Sequence, residues 1–451
     1  MELSDLFLTP IYLGVFYGIA FAIRPSMTNR FTKKYFIPAL TLKFIGALAL
    51  GLIYQFYYTG GDTFNYYGHI KVVYSAFADS PLIGFKLLFA HGQYDPDTAG
   101  YANQMHWYTA ATEYFIIKIG AVCALLCFDS YSVIALMFAG ISFAGLWAMY
   151  TTFLRIFPLA YKKLAIAMFF LPSVFFWGSG LLKDSICIGA LGWAFYGFYH
   201  VFIIKKYIKK ASILGLIGIY ILISVKIYIL LSFLPPALFW IFNENNQRIK
   251  SATTRALMRP VFILLGVAAG YLGATRLTAG DERYDVDKIG ERTKINQEYL
   301  YNLTKENGSS YSIGTFDGSA RSLLLVAPQA VVVSLFRPFV FEARSPIMLL
   351  SALEAALFLY LTISLIVRTG IFKSIHLIST EPILSFCFIF SIIFAIGVGT
   401  NSGNFGTLVR YKIPLMPFFL SALYIMQFKA DELKYSQLNK PKKFRRLAVT
   451  E

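Results

Sequence analysis

The sequence predicts an all-α polytopic membrane protein with about 10–12 transmembrane helices and interfacial helices in its first outer loop. Three observations carry this. Mean hydropathy is +0.60. Charged residues make up 14% of the chain, against roughly 25% in a soluble domain. Apolar runs of roughly 17–25 residues recur from end to end, and one helix crossing a bilayer core needs about 20 apolar residues. A β-barrel would show ~10-residue alternating segments instead.

The first run, Phe7 to Ile23, follows an acidic start with no basic flank. It reads as a membrane helix and not as a cleavable signal peptide. Net charge is +17, but the excess lies in short loops and in the tail from 429 to 451. That is the positive-inside pattern and makes nucleic acid an unneeded partner. Cys123, Cys127, Cys187 and Cys387 fall in apolar stretches; they read as buried thiols, with no disulfide framework.

The whole chain, 1–451, reads as one transmembrane domain. Its basic loops are "RPSMTNRFTKK", "KKYIKK", "NENNQRIKSATTRALMR", "RTGIFK" and the tail, and these are expected in the cytoplasm. The first outer loop then spans 58–110 and the second 276–341. The N-terminus starts outside and the C-terminus ends inside. Parts of the first loop are amphipathic and are expected to lie flat at the interface. Four apolar segments, about 112–128, 132–154, 164–180 and 185–203, join Ala110 to Lys205. A passage from outside to inside needs an odd number of crossings, so one of the four does not cross.

The residues that break apolarity are the candidates for chemistry. In "GGDTFNYYGHI", Gly60 and Gly61 end one helix and Asp62 opens the next. Tyr66 and His69 follow at helical spacing and share a face with Asp62. Asp62 reads either as a helix cap or as a catalytic carboxylate, or as both. Asp95, Asp97, His106 and Trp107 lie later in that loop. The acids read as a solvated turn or, with Asp62, as ligands of a divalent cation. His106 and Trp107 read as a sugar contact or as interface residues.

Lys183 and Asp184 interrupt "LPSVFFWGSGLLKDSICIGALG", where ionisable groups at membrane depth cost roughly 2.5–3.5 kcal/mol each and are partnered or functional. Lys226 sits alone at the tip of a hairpin and either snorkels or meets a lipid phosphate. Arg337 and Glu342 pair with each other, or Arg337 binds phosphate. Asn404 makes a polar turn, after which Arg410 and Lys412 begin the final helix on the outer side. They call for an acidic partner or an anionic ligand. Lys43 and Glu354 are further intramembrane charges.

The segments "GGDTFNYY", "LPSVFFWGSGLLKD" and "NFGTLVRYKIPLMPFF" resemble the GT-C class of integral-membrane glycosyltransferases, in particular its bacterial family-39-like members. The resemblance spans about residues 36–428. It implies a polyprenyl-phosphate sugar donor, a glycan, lipid or protein acceptor at the outer face, and Asp62 as general base. It also implies a multi-pass protein of the bacterial inner membrane with a cytoplasmic C-terminus. The pattern departs from the class in having one more helix before the first outer loop and a single acid at Asp62. Two other classes fit the outward cations: a polymerase or ligase of the O-antigen type, and a transporter of lipid-linked glycans. An Arg-rich late loop would mark the former and an inverted repeat the latter.

Overall fold

The computed structural model describes residues 2–246, 289–306, 308–314 and 316–438. Part of the basic segment after Asn243, the start of the second outer loop and the end of the tail lie outside the described residues. The chain is an all-α, multi-pass membrane protein. Among the described residues nine helices are long and apolar enough to cross a bilayer, and there is no strand.

In chain order the helices are α1 (Leu3–Met27), α2 (Lys33–Phe56), α3 (Asp62–Asp79), α4 (Pro81–Phe89), α5 (Ala99–Ala102), α6 (Ala111–Cys127), α7 (Tyr131–Ile156), α8 (Tyr161–Phe169), α9 (Pro172–Phe176) and α10 (Lys183–Phe198). Then come α11 (Ile208–Val225), α12 (Ile227–Asn246), α13 (Ile289–Thr304), α14 (Ala320–Phe336), α15 (Pro346–Thr369), α16 (Ile371–Thr380), α17 (Pro382–Asn401), α18 (Phe405–Tyr411) and α19 (Met416–Leu438).

The parity of crossings is resolved by α6. Its first turn meets the start of α10, where Lys183 pairs with Glu113 and donates to Thr112 at 2.9 Å. Its last turn leads to Ser130 and Ser132, which donate to buried Asp5 at the start of α1 at 2.6 and 3.0 Å. Beside them Tyr131 meets Thr63 of α3 at 2.8 Å. Both ends of α6 therefore sit at the end of the bundle that carries Asp62. The segment expected to cross at about 112–128 lies across that end instead, packed on α3.

The crossing at about 164–180 is made by a broken helix. It starts at Tyr161, whose carbonyl accepts from Tyr150 in the far half of α7 at 3.0 Å. It ends at Trp177, on the wall of a cleft at the Asp62 end. α8 has nine residues and α9 five, so neither reaches across alone at 1.5 Å per residue. Broken backbone inside a membrane needs internal partners. Glu354 accepts from the Ser173 amide at 2.8 Å at the start of α9. Lys43 donates to Val174 and Gly178 carbonyls at 2.9 and 2.8 Å at its end. The two charges match the helix dipole, anion at the N-terminus and cation at the C-terminus. That gives both intramembrane charges a structural role.

α10 is held between α7 and α11 by close packing of small residues. A Cβ at Gly145 of α7 would lie 1.9 Å from the Gly189 carbonyl oxygen, so only glycine permits this approach. The contact fixes the depth of α10 and with it the positions of Lys183 and Asp184.

Candidate functional site

The site begins with the exit from α2. Thr59, Gly60 and Gly61 have φ of 54°, 141° and 115°, left-handed values that favour glycine. A Cβ at Gly61 would also strike the Tyr54 ring at 2.9 Å. This turn delivers Asp62 as the first residue of α3, with Gly61 in the capping position. The expectation that Asp62 caps the helix is corrected: it adds a negative charge to the first turn, where the helix dipole favours one.

The Asp62 carboxylate accepts from Arg410 Nη1 at 2.8 Å. Arg410 Nη2 reaches Asp184 at 3.3 Å, and Lys226 Nζ reaches the other Asp184 oxygen at 2.5 Å. The result is a chain of alternating charge: Asp62, Arg410, Asp184, Lys226. Its inner members are shielded, with the Asp184 side chain 3% exposed, while the Asp62 side chain is 47% exposed. Burial works against a charged guanidinium, but Asp184, Tyr54 and Asp62 outweigh it and hold Arg410 more firmly protonated than a free arginine. Trp177 lies under the guanidinium at 5.7 Å and Tyr411 under Lys226 at 4.9 Å; both are cation–π contacts.

Asp62 and Arg410 open onto a cleft of about 760 Å³, within the usual range for ligand sites. Tyr54, Tyr58 and Trp177 form an aromatic wall, and Ser345, Met348 and Asn404 also line the cleft. Asn404 caps α18, accepting from the Thr407 amide at 2.8 Å, and donates to the Leu300 carbonyl at 3.3 Å. Arg410 lies in α18 and Lys412 in the following turn; the final helix starts at Met416. The expectation that these two cations begin the final helix is corrected accordingly.

Of the expected site residues, the cleft gathers Asp62, Asn404 and Arg410, and Asp184 and Lys226 stand behind Arg410. The others do not line it. Lys183 is taken by Glu113. Arg337 is gripped by both oxygens of Glu342 and lies beside a second, apolar groove with Val332 and Phe339. Lys412 is buried and donates to the Arg337 carbonyl at 3.0 Å.

Tyr66 and His69 turn away from the cleft. Tyr66 packs on Trp107 at 4.7 Å, and His69 Nε2 meets His106 Nδ1 at 3.0 Å. Burial and the neighbouring His106 push His69 down to about 4. Asp97 pairs with Lys86, and Asp95 accepts the Asp97 amide at 3.0 Å in a turn. Neither joins Asp62, and among the described residues no three His, Cys, Asp or Glu side chains converge to hold a metal ion.

Sequence reasoning missed the aromatic wall and the Glu113 partner. Trp177 was visible as a large aromatic directly before the glycines of a broken helix. Glu113 was visible as a lone acid opening an apolar run. Comparison of the chain with protein-family models, curated proteins and solved structures returned no match.

Proposed function

We propose that the chain is an integral-membrane glycosyltransferase that moves a sugar from a polyprenyl-phosphate-linked donor to a glycan, lipid or protein acceptor. One observation carries the reading: a half-exposed carboxylate and a partly buried guanidinium share one aromatic-walled cleft at a membrane end, 2.8 Å apart. The acceptor hydroxyl gives its proton to Asp62 as its oxygen attacks the anomeric carbon. The bond from that carbon to the phosphate oxygen breaks, and the phosphate leaves with the electron pair. Arg410 offsets the charge that develops there. Attack from the face opposite the leaving group inverts the anomeric centre. Tyr58, the exposed member of the aromatic wall, offers a flat face to a sugar ring.

The distribution of charge supports an outward cleft. Arg24, Arg30, Lys33 and Lys34 flank the turn from α1 to α2, and Lys205, Lys206, Lys209 and Lys210 flank the turn from α10 to α11, all at the end opposite Asp62. The short turn between α11 and α12 at the Asp62 end has only Lys226, neutralised by Asp184. By the positive-inside rule the cleft faces away from the cytoplasm and α19 ends inside it; the family resemblance supports a bacterial inner membrane.

The test is a transfer assay with the purified full-length protein, synthetic polyprenyl-phosphate hexoses and cell-envelope extract as acceptor. Asp62→Asn keeps the size but not the base, and general-base catalysis contributes typically 10²–10⁴-fold. Turnover should fall by about that factor, and parental turnover in this variant overturns the assignment.

A further inference from the structure

The carboxylate that should take the acceptor's proton is already occupied, since Asp62 Oδ2 accepts from Arg410 Nη1 at 2.8 Å. The geometry around Arg410 contains an answer. Arg410 is held from behind: Asp184 takes Nη2 at 3.3 Å, and Asp184 is itself fixed by Lys226 at 2.5 Å. Trp177 supports the guanidinium at 5.7 Å. Asp62 is held far less. Its side chain is 47% exposed, and it follows two glycines at positive φ. Of the two carboxylates on Arg410, Asp184 is the fixed one and Asp62 the replaceable one. The guanidinium is also unsaturated, since its buried Nε has no acceptor among the described residues.

We propose that Asp62 and the phosphate of the lipid-linked donor compete for the same edge of Arg410, so that donor binding releases the Asp62 carboxylate into the cleft. The identity of the anion rests on the glycosyltransferase reading above; the competition rests on the geometry. In the resting site Asp62 and Asp184 balance Arg410 and Lys226. An entering phosphate takes the Nη1 edge and leaves Asp62 without its cation and next to a second negative charge. The exchange therefore turns Asp62 from an ion-pair partner into a base only when the donor is in place, which guards the donor from attack before it is seated.

The experiment measures equilibrium binding of a short-chain polyprenyl phosphate, and separately of inorganic phosphate, to the detergent-solubilised full-length protein. Asp62→Asn and Asp62→Ala remove the internal competitor, so both should bind polyprenyl phosphate about tenfold tighter than the parent, the scale of one charge-assisted hydrogen bond. Arg410→Gln should lose the binding. Tightening with both probes supports the exchange and assigns recognition to the phosphate alone. Tightening with polyprenyl phosphate only supports it and makes the lipid chain part of the site. Variants that melt like the parent yet bind no tighter overturn the proposal. If Asp62→Asn loses transfer with unchanged affinity, the exchange falls and the base role stands. If it gains affinity and keeps transfer, the exchange stands and the glycosyltransferase reading falls.

Discussion

Arg410 donates to the Asp62 carboxylate at 2.8 Å across 348 residues of sequence. The contact joins the turn after α2 to the short helix before α19. α10 brings Asp184 to the same guanidinium, and Lys226 completes the chain behind it. Each of these four side chains comes from a different helix or helix turn. The site is therefore a property of the whole bundle end and not of the first loop alone.

Removing the inner carboxylate should damage the protein more than removing the outer one. Asp184→Asn leaves Lys226 buried without its counter-charge and Arg410 without its anchor. Breaking a buried pair from one side costs about 3–5 kcal/mol. Thermal unfolding in detergent should show this loss for Asp184→Asn. Asp62→Asn, whose side chain is half exposed, should melt within about 1 kcal/mol of the parent. Equal destabilisation by the two variants would contradict the assignment of Asp184 as the fixed member.

The four native cysteines are free and buried, so single introduced cysteines can report sidedness. Cysteines at Asp97, Phe128 and Lys305 should react with an impermeant reagent from one side of the membrane, and those at Lys209 and Lys373 from the other. All five positions are exposed. Labelling of the first group from outside intact cells is the expected result. Phe128 is the telling position: if α6 crossed the bilayer, a cysteine there would label with Lys209 instead of Asp97.

How much of this was legible in the sequence depends on range. Hydropathy gave the membrane class, and Asp62, Asn404 and Arg410 stood out because polar residues at a helix break are costly unless used. The in-plane course of α6 was not legible. Its 17 residues match a crossing segment in length and apolarity, and only the contacts of its two ends, with Lys183 and with the turn that holds Asp5, place it. The pairing of cations was hidden for the same reason. Lys183 with Glu113 and Arg410 with Asp62 are separated by 70 and 348 positions, beyond the reach of any local pattern.

The His69–His106 contact gives the first loop a pH response. His69 is held down to about 4, by burial first and His106 second, against an ordinary value near 6.5. Its neutral form is the one the fold favours. The stability this provides is complete above about pH 6.5 and is lost as pH falls from there through 4. Asp129, which burial raises to about 6, acts in the opposite sense, its contribution being lost as pH rises through that value. The comparison must therefore be between the parent and His69→Phe. The melting temperature of the parent should fall relative to the variant as pH goes from 7 to 4. Parallel curves would mean that His69 titrates normally.

Arg337 and Arg410 look alike in sequence as outward cations near the membrane, and their surroundings assign them different work. Arg337 is bound through two nitrogens to Glu342, and that carboxylate also accepts the Phe339 amide at 2.8 Å. The pair closes a local turn, so an incoming phosphate would have to break a bidentate contact to reach the arginine. Arg410 presents Nη1 at the wall of the cleft, where its partner Asp62 is half exposed. Arg410→Ala should weaken binding of a polyprenyl-phosphate donor by about 1.5–3 kcal/mol, the value of a hydrogen bond to a charged group. Arg337→Ala should change it by less than about 0.5 kcal/mol, and the double variant should equal the sum of the two, as for independent sites. Titration of donor into the three variants measures this directly. A loss at Arg337 as large as that at Arg410 would place the donor phosphate at the α14–α15 turn and move the site away from Asp62.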